Sequence, residues 1–452
     1  MGAGGVNGFA KLWIYALIAL PVYPRVEVFG GGGGALLLDD LILAVAVISG
    51  IGQLLLRASV FGALTLPYTK VSVLFASLLV LKTVTLLVLA VFLPLINSVF
   101  REYGVAFGEG CFVVVKSLFF LLAYTTILKG LGQRRDSRSA LHFAIFCIFL
   151  VASYGLFQFF VLGHTTITST HRNIYAMSIA APGIWEYDDP WFQDATVGHE
   201  HFGAYMVMAL SLCVGLLLCG YPKRRRWRCA LILLCGGCLF NVIYASSRGS
   251  WIGAVCSLSV FTLWLLATGK VKQLFFISLS FSVAIVSIVY ALELSPVEYV
   301  GKRVESLLTS KTFGAIISNT QNDIEDVSAR DRIATFVALW ERFSERPLVG
   351  WGAGGAGRIA EGQYIRELVE GGIVGSVLFM AFLVSCVWGV RAHYRASYDP
   401  MVKGGNLGMA CGIAGIAGQS LFTELLILTK VGGAFWVLVS IIQSMGLQRN
   451  EK

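Results

Sequence analysis

The chain has 452 residues, of which 56% are hydrophobic and only 13% charged. Soluble domains carry about 25% charged residues, so a chain this long and this apolar excludes a single water-soluble core and reads as a membrane protein. The net charge of +9 is then interpreted by position, because basic residues mark the cytoplasmic side of membrane proteins and give no ground for a nucleic-acid partner.

A helix needs about 20 mainly apolar residues to cross the hydrocarbon core. About twelve such runs are predicted: 8–23, 35–52, 71–97, 110–128, 141–163, 201–220, 229–246, 251–268, 273–293, 371–390, 404–423 and 429–446. The expected fold class is therefore an all-α polytopic membrane protein of about 12 transmembrane helices. The first two runs are the weakest, one being short and the other carrying Asp39 and Asp40. Ala10–Val22 is followed by Tyr23-Pro24-Arg25 rather than a small-residue cleavage site, so it reads as a membrane helix and not as a signal peptide. Nearly all the cysteines fall inside apolar stretches, where cysteine acts as a small hydrophobe. Cys235-x-x-Cys238 has metal or redox spacing but lies within a span, where packing on one helix face accounts for it.

Four basic clusters set the orientation: Lys129 with Arg134, Arg135 and Arg138; Lys223 to Arg228; Lys270 with Lys272; and Arg391 with Arg395. With these spans all four fall on one side, which is the cytoplasm by the positive-inside rule, together with both termini. The opposite side carries two longer segments, 164–200 and 294–368. In the second, Ser328-Ala-Arg-Asp331 resembles a capping box. Ile333, Phe336, Val337, Trp340 and Phe343 then recur at helical spacing until Pro347. An amphipathic helix bearing Arg330, Arg332, Arg342 and Arg346 is expected there, at the outer membrane–water boundary. Gly352-x-Gly354-x-x-Gly357 formally matches a dinucleotide fingerprint, but that motif requires a preceding strand within a βαβ unit. Here the glycines read instead as a tight re-entry of the chain, with backbone N–H groups able to form a small anion nest.

Three outward patches carry the candidate chemistry. Tyr244-Ala-Ser-Ser-Arg-Gly-Ser-Trp251 joins two spans, and its Arg248 has no acidic neighbour in sequence. A guanidinium so placed costs a few kcal/mol unless paired or hydrated, and it is suited to bind phosphate oxygens bidentately. The second patch is Arg332, Trp340, Pro347, Gly350 and Gly352. The third runs from Glu361 through Tyr364, Arg366 and Glu370 to Gly375. An earlier stretch, Val197-Gly-His-Glu-His-Phe-Gly-Ala-Tyr205, adds His199 and His201 at the outer start of a span. The His-Glu-His spacing is poor for a helical metal site, so no metal is expected.

In this order the patches resemble the shared domain of the O-antigen polymerase and O-antigen ligase family of lipid-linked glycan glycosyltransferases. Ser247, Arg248 and Gly249 fit its Ser-Arg-Gly element. Arg332, Trp340, Pro347, Gly350 and Gly352 fit its Arg…Trp…Pro-x-x-Gly-x-Gly stretch, and Tyr364, Glu370, Gly372 and Gly375 fit its tyrosine motif ending Glu-x-Gly-x-x-Gly. The resemblance covers about 200–390. It divides one integrated membrane domain into N-terminal helices with the first outer loop (1–200), a core (201–390) containing the large outer loop 294–368, and C-terminal helices (391–452).

The resemblance implies glycosyl transfer at the periplasmic face of the bacterial inner membrane. The donor would be an undecaprenyl-diphosphate-linked oligosaccharide and the acceptor a lipid-linked glycan or lipid A–core, with membrane lipids, a flippase and chain-length regulator proteins as further partners. Arg248 and Arg332 would stabilise the leaving diphosphate, and Glu361 would deprotonate the attacking hydroxyl. His199, His201, Arg303, Arg330, Tyr364, Arg366 and Glu370 would contact substrate. No cofactor is called for, because the donor's own phosphate-linked sugar supplies the energy. Ligases of the family place a histidine three residues before the motif tyrosine, where this chain has Glu361, as polymerases with an acidic residue there do. A polymerase is therefore expected ahead of a ligase, and either ahead of a transporter or flippase.

Overall fold

The structure is a computed structural model. It describes residues 8–22, 27–29, 36–37, 42–45, 48, 69–92, 100–131, 134–160, 198–245, 247–269, 327–357, 362–426 and 429–447. In chain order the helices are α1 (Gly8–Ile18), α2 (Thr69–Phe92), α3 (Phe100–Gly130), α4 (Arg134–Phe160), α5 (Gly198–Leu218), α6 (Arg225–Tyr244), α7 (Arg248–Ala267), α8 (Val327–Glu345), α9 (Gln363–Ala396), α10 (Pro400–Gln419) and α11 (Thr429–Leu447).

Among the described residues, five helical stretches are long and apolar enough to cross a membrane: Arg135–Phe157, Glu200–Leu218, Arg225–Ile243, Gly249–Ala267 and Gln363–Ala396. Leu74–Thr85, Val113–Leu128 and Val431–Gly446 form shorter apolar helices. Every predicted run except 35–52 and 273–293 overlaps one of these eleven helices. The run 273–293 lies outside the described residues. Of 35–52, Leu36–Leu37 (β2) is extended and pairs antiparallel with Glu27–Phe29 (β1), while 42–45 is helical.

Glycine sets the centre of the bundle. On α10, Gly404, Gly408, Gly412 and Gly415 recur at three- and four-residue spacing along one face, which brings its backbone against α5. A Cβ on Gly408 would stand 2.6 Å from Leu212 Cα, and one on Gly404 would stand 2.6 Å from Leu216 Cα. Between lipid-embedded helices the gain comes from close van der Waals packing rather than from the hydrophobic effect, and small residues make that approach possible. Gly415 and Gly418 extend the same closeness to α7, at the Gly253 carbonyl and at Cys256. Next to this pair, α2, α3, α9 and α11 meet around the buried Trp436 ring. Phe75, Tyr124 and Phe382 lie 4.8, 5.4 and 5.2 Å from it between centroids.

The two ends of the bundle differ in charge. At one end the α4 start, the α5–α6 connection and the α9–α10 connection come together. There Arg138 pairs with Asp399 at 2.5 Å and the His142 ring meets the Tyr221 hydroxyl. This end carries Arg134, Arg135 and Arg138 with Lys223 to Arg228. Asp399 also caps α10, accepting from the Met401 N–H at 3.0 Å with Pro400 in the first turn. The starts of α5, α7, α9 and α11 and the end of α10 lie at the other end.

The expected amphipathic helix is α8, which already includes Val327 and Ser328, so Ser328 is a first-turn residue rather than the cap. Of its predicted apolar face, Phe343 is buried together with Leu339, against Ile365 and Val369 of α9. Phe336, Val337 and Trp340 remain exposed, with Leu348 and Val349 just beyond. Because Leu348 is hydrogen-bonded to Val374, this apolar strip continues into the outward-facing Ile373, Val374 and Val377 of α9.

Candidate functional site

At the second end, Ser247 is the N-cap of α7. Its hydroxyl accepts from the Ser250 N–H at 3.3 Å, and Arg248 is the first helical residue. A cation at a helix N-terminus opposes the macrodipole, at a cost of about 0.3–1 kcal/mol, so Arg248 is not there to steady the helix. Gly249 lets Gln419 of α10 pass close by; a Cβ there would meet Gln419 Cγ at 3.2 Å. Gln419 donates to the Glu200 carbonyl at 2.8 Å, and Thr423 donates to the Glu200 carboxylate at 2.9 Å. The Glu200–His201 start of α5 is thereby tied to the turn Ser420–Leu426 that follows α10, and His201 is buried there. The same turn receives α9: the Gln363 N–H donates to the Ser420 carbonyl at 2.8 Å, and Gly362 lies against the Leu421 carbonyl. Tyr364 donates its hydroxyl to the Ala417 carbonyl at 2.9 Å.

Helix α9 is broken at Gly372, whose φ of 63° and ψ of −163° belong to glycine. A break frees backbone groups that lipid cannot satisfy, and Pro347–Gly352 supplies both sides of the repair. The Ile373 and Val374 N–H groups donate to the Pro347 and Leu348 carbonyls at 2.8 and 3.2 Å. The Val369 and Glu370 carbonyls accept from Trp351 and Gly352 at 2.8 and 2.9 Å. Gly350 permits the approach, since a Cβ there would stand 2.5 Å from the Val369 carbonyl oxygen. The Pro-x-x-Gly-x-Gly and Glu-x-Gly motifs are thus two halves of one backbone junction. The glycine-rich turn binds an anion belonging to the protein itself, as Gly354 N–H donates to Glu370 Oε1 at 3.0 Å.

Around that junction lies a buried group of five charged side chains. Lys82, near the middle of α2, reaches Glu367 at 2.8 Å and Glu370 at 2.9 Å. Arg366 donates to Glu370 at 2.9 Å, to Glu424 at 2.5 Å and to the Gly357 carbonyl at 2.8 Å. Removing charges from water costs several kcal/mol each, which only close pairing offsets. Among the described residues two cations face three carboxylates, so the group carries one net negative charge. Glu424 lies in the turn between α10 and α11, against Arg366. Burial outweighs the adjacent Arg366 and pushes the Glu424 carboxyl up to about 7. Below the group a cleft runs between α2, α3, α9 and α11, lined by Phe75, Leu78, Lys82, Gln363, Phe382 and Trp436.

The sequence-derived residues divide as follows. Tyr364, Arg366, Glu370 and His201 come together at one end of the bundle with the backbone of Ser247–Gly249. Arg366 and Glu370, expected to contact substrate, are engaged by protein groups on all the sides described above, and Glu370 is fully buried. The side chains of His199, Arg248, Arg330 and Arg332 lie outside the described residues, as do Arg303 and Glu361 altogether. Lys82, Glu367 and Glu424 are what sequence reasoning missed. The available signal was Lys82: an ionisable residue within a span requires a partner, and Glu367 and Glu370 offer two at helical spacing.

No protein-family model matches the chain, and no curated protein does.

Proposed function

We propose that the protein is a multi-pass glycosyltransferase that polymerises polyprenyl-diphosphate-linked oligosaccharide repeat units at the outer face of the bacterial inner membrane. The reading includes about twelve spans, with the basic end of the bundle in the cytoplasm and 294–368 outside. The observation that carries it is the convergence of three motifs, read separately in the sequence, on the turn Ser420–Leu426 and the junction at Gly372. The start of α7 would present Arg248 to the donor diphosphate, where a planar guanidinium can stabilise the charge growing on the leaving group. A carboxylate takes the proton of the attacking sugar hydroxyl; Glu361 is one candidate by sequence, holding the position at which related ligases carry histidine.

The test is chemical analysis of surface glycan in a deletion strain. A single repeat unit on lipid A–core is the expected result. Bare core with long lipid-linked glycan accumulating would assign the protein as a ligase, and unchanged glycan would overturn the reading. One observation favours a different class. A buried mixed-charge group beside a broken helix is also how proton-coupled carriers are built. In that case the deletion strain accumulates an unpolymerised substrate on the cytoplasmic face, and the purified protein catalyses no bond formation.

A further inference from the structure

We propose that Glu424 is the general base of this site, taking the proton from the acceptor hydroxyl, and that the buried charges behind it exist to hold it in place. The inference rests on the glycosyltransferase reading above.

Three features of the geometry separate Glu424 from the other carboxylates. The first is access. The Glu424 side chain keeps 18% of its surface open, against 4% for Glu367 and 0% for Glu370. Both oxygens of Glu370 are already accepting, one from Gly354 and Arg366 and the other from Lys82. The second is charge. The groups facing Glu424 are Arg366 and Glu370 of α9 and Lys82 of α2, while Glu200 of α5 holds the adjacent Thr423. Two cations, Lys82 and Arg366, face three carboxylates, Glu367, Glu370 and Glu424, so among the described residues the group carries one surplus negative charge. A buried group with surplus negative charge binds a proton readily, and burial raises the Glu424 carboxyl to about 7, the range a base working at neutral pH requires.

The third feature is the surroundings. The buried polar atoms with no hydrogen-bond partner among the described residues include Gln363 Oε1, Gln419 Oε1, Ser420 Oγ and Ser250 Oγ. All four lie on the segments that meet at the Glu424 turn, and Ser250 is two residues from Arg248. Buried polar atoms are satisfied in the great majority of cases. Exceptions along these segments leave hydrogen-bonding capacity for a polar ligand, and the hydroxyl-rich face of a sugar has that chemistry.

In the step itself, the acceptor oxygen attacks the anomeric carbon of the donor and its proton passes to the Glu424 carboxylate. The anomeric carbon–oxygen bond breaks with its electron pair leaving on the diphosphate. The protonated Glu424 then returns its proton to water.

The experiment compares wild type, Glu424→Gln and Glu361→Gln as purified protein in liposomes, with a synthetic prenyl-diphosphate-linked repeat unit as substrate, from pH 5 to 9. Wild-type rate should rise through pH 7 to a plateau. Glu424→Gln should lose about 10²–10⁴-fold and the rising limb with it. Glutamine keeps the acceptor for Arg366 and removes the surplus charge. Its thermal unfolding should therefore match wild type near pH 5 and exceed it above pH 7. The sign follows from a carboxyl whose folded pKa is raised: its stabilising protonation is complete below the ordinary value of 4.5 and lost as pH climbs to about 7. A Glu424→Gln rate within about threefold of wild type, or a large loss that keeps the rising limb, overturns the assignment whatever Glu361→Gln does. A wild type that forms no glycosidic bond overturns the transferase reading itself and the base assignment with it.

Discussion

Lys82 carries more of the structure than a single side chain in an apolar helix usually does. It lies in α2, and its ammonium is held between Glu367 and Glu370 of α9 at 2.8 and 2.9 Å. Replacing such a pair wholesale by apolar groups can be neutral, whereas removing one partner leaves an uncompensated buried charge at about 3–5 kcal/mol. Lys82→Met should therefore lower the unfolding temperature in mild detergent sharply, and Glu367→Gln added to it should recover part of the loss. Additive losses in that double-mutant cycle would mean that the pair does not interact. Arg248 makes the opposite kind of claim, because nothing in the helix it begins is served by its charge. Arg248→Ala should abolish glycan polymerisation while unfolding as wild type does. Arg248→Lys should restore little, since a point ammonium lacks the planar fork. A normal chain-length distribution in Arg248→Ala cells would remove the diphosphate from the site.

The elements show what the amino-acid pattern could and could not reveal. Hydropathy located α2 to α7 and α9 to α11 because lipid demands continuous apolar runs, and the ordered motifs pointed to the end of the bundle where α7 and α9 begin. The partner of each motif was not legible. Pro347–Gly352 and Glu370–Gly372 looked like separate signatures, and their shared role depends on backbone hydrogen bonds that leave no side-chain signal. The predicted span 404–423 ran past the end of α10 at Gln419, which hid the turn containing Glu424. The small-residue stripe of α10 was visible as glycines, but its partner helix was not. That stripe gives a direct test. Gly408→Val would drive a side chain into Leu212 and the Ser211 carbonyl, and overpacking of this kind costs about 1–3 kcal/mol. Gly236→Ala on α6, where a Cβ meets nothing within 4 Å, should be neutral or slightly stabilising. Equal melting temperatures for the two variants would show that α5 and α10 do not need the close approach.

At the scale of the whole molecule, the two ends separate by charge: arginines and Asp399 at one, the converging helix starts at the other. The proposed orientation predicts the outcome of labelling with an impermeant thiol reagent in a cysteine-free background. A cysteine at Ala338, exposed on α8, should react from outside intact spheroplasts. One at Arg226, exposed at the start of α6, should react only after lysis. The reverse pattern would turn the molecule over and move the site to the cytoplasm.

The Lys82–Glu370 contact also spans 288 residues of chain, and a ribosome adding about 5–20 residues per second needs roughly 15–60 s to cover that distance. During that interval the Lys82 charge exists without its counter-ions, which in lipid would cost a few kcal/mol. The final packing of α2 would therefore await the emergence of α9, and completion of the fold would be timed from the C-terminal half.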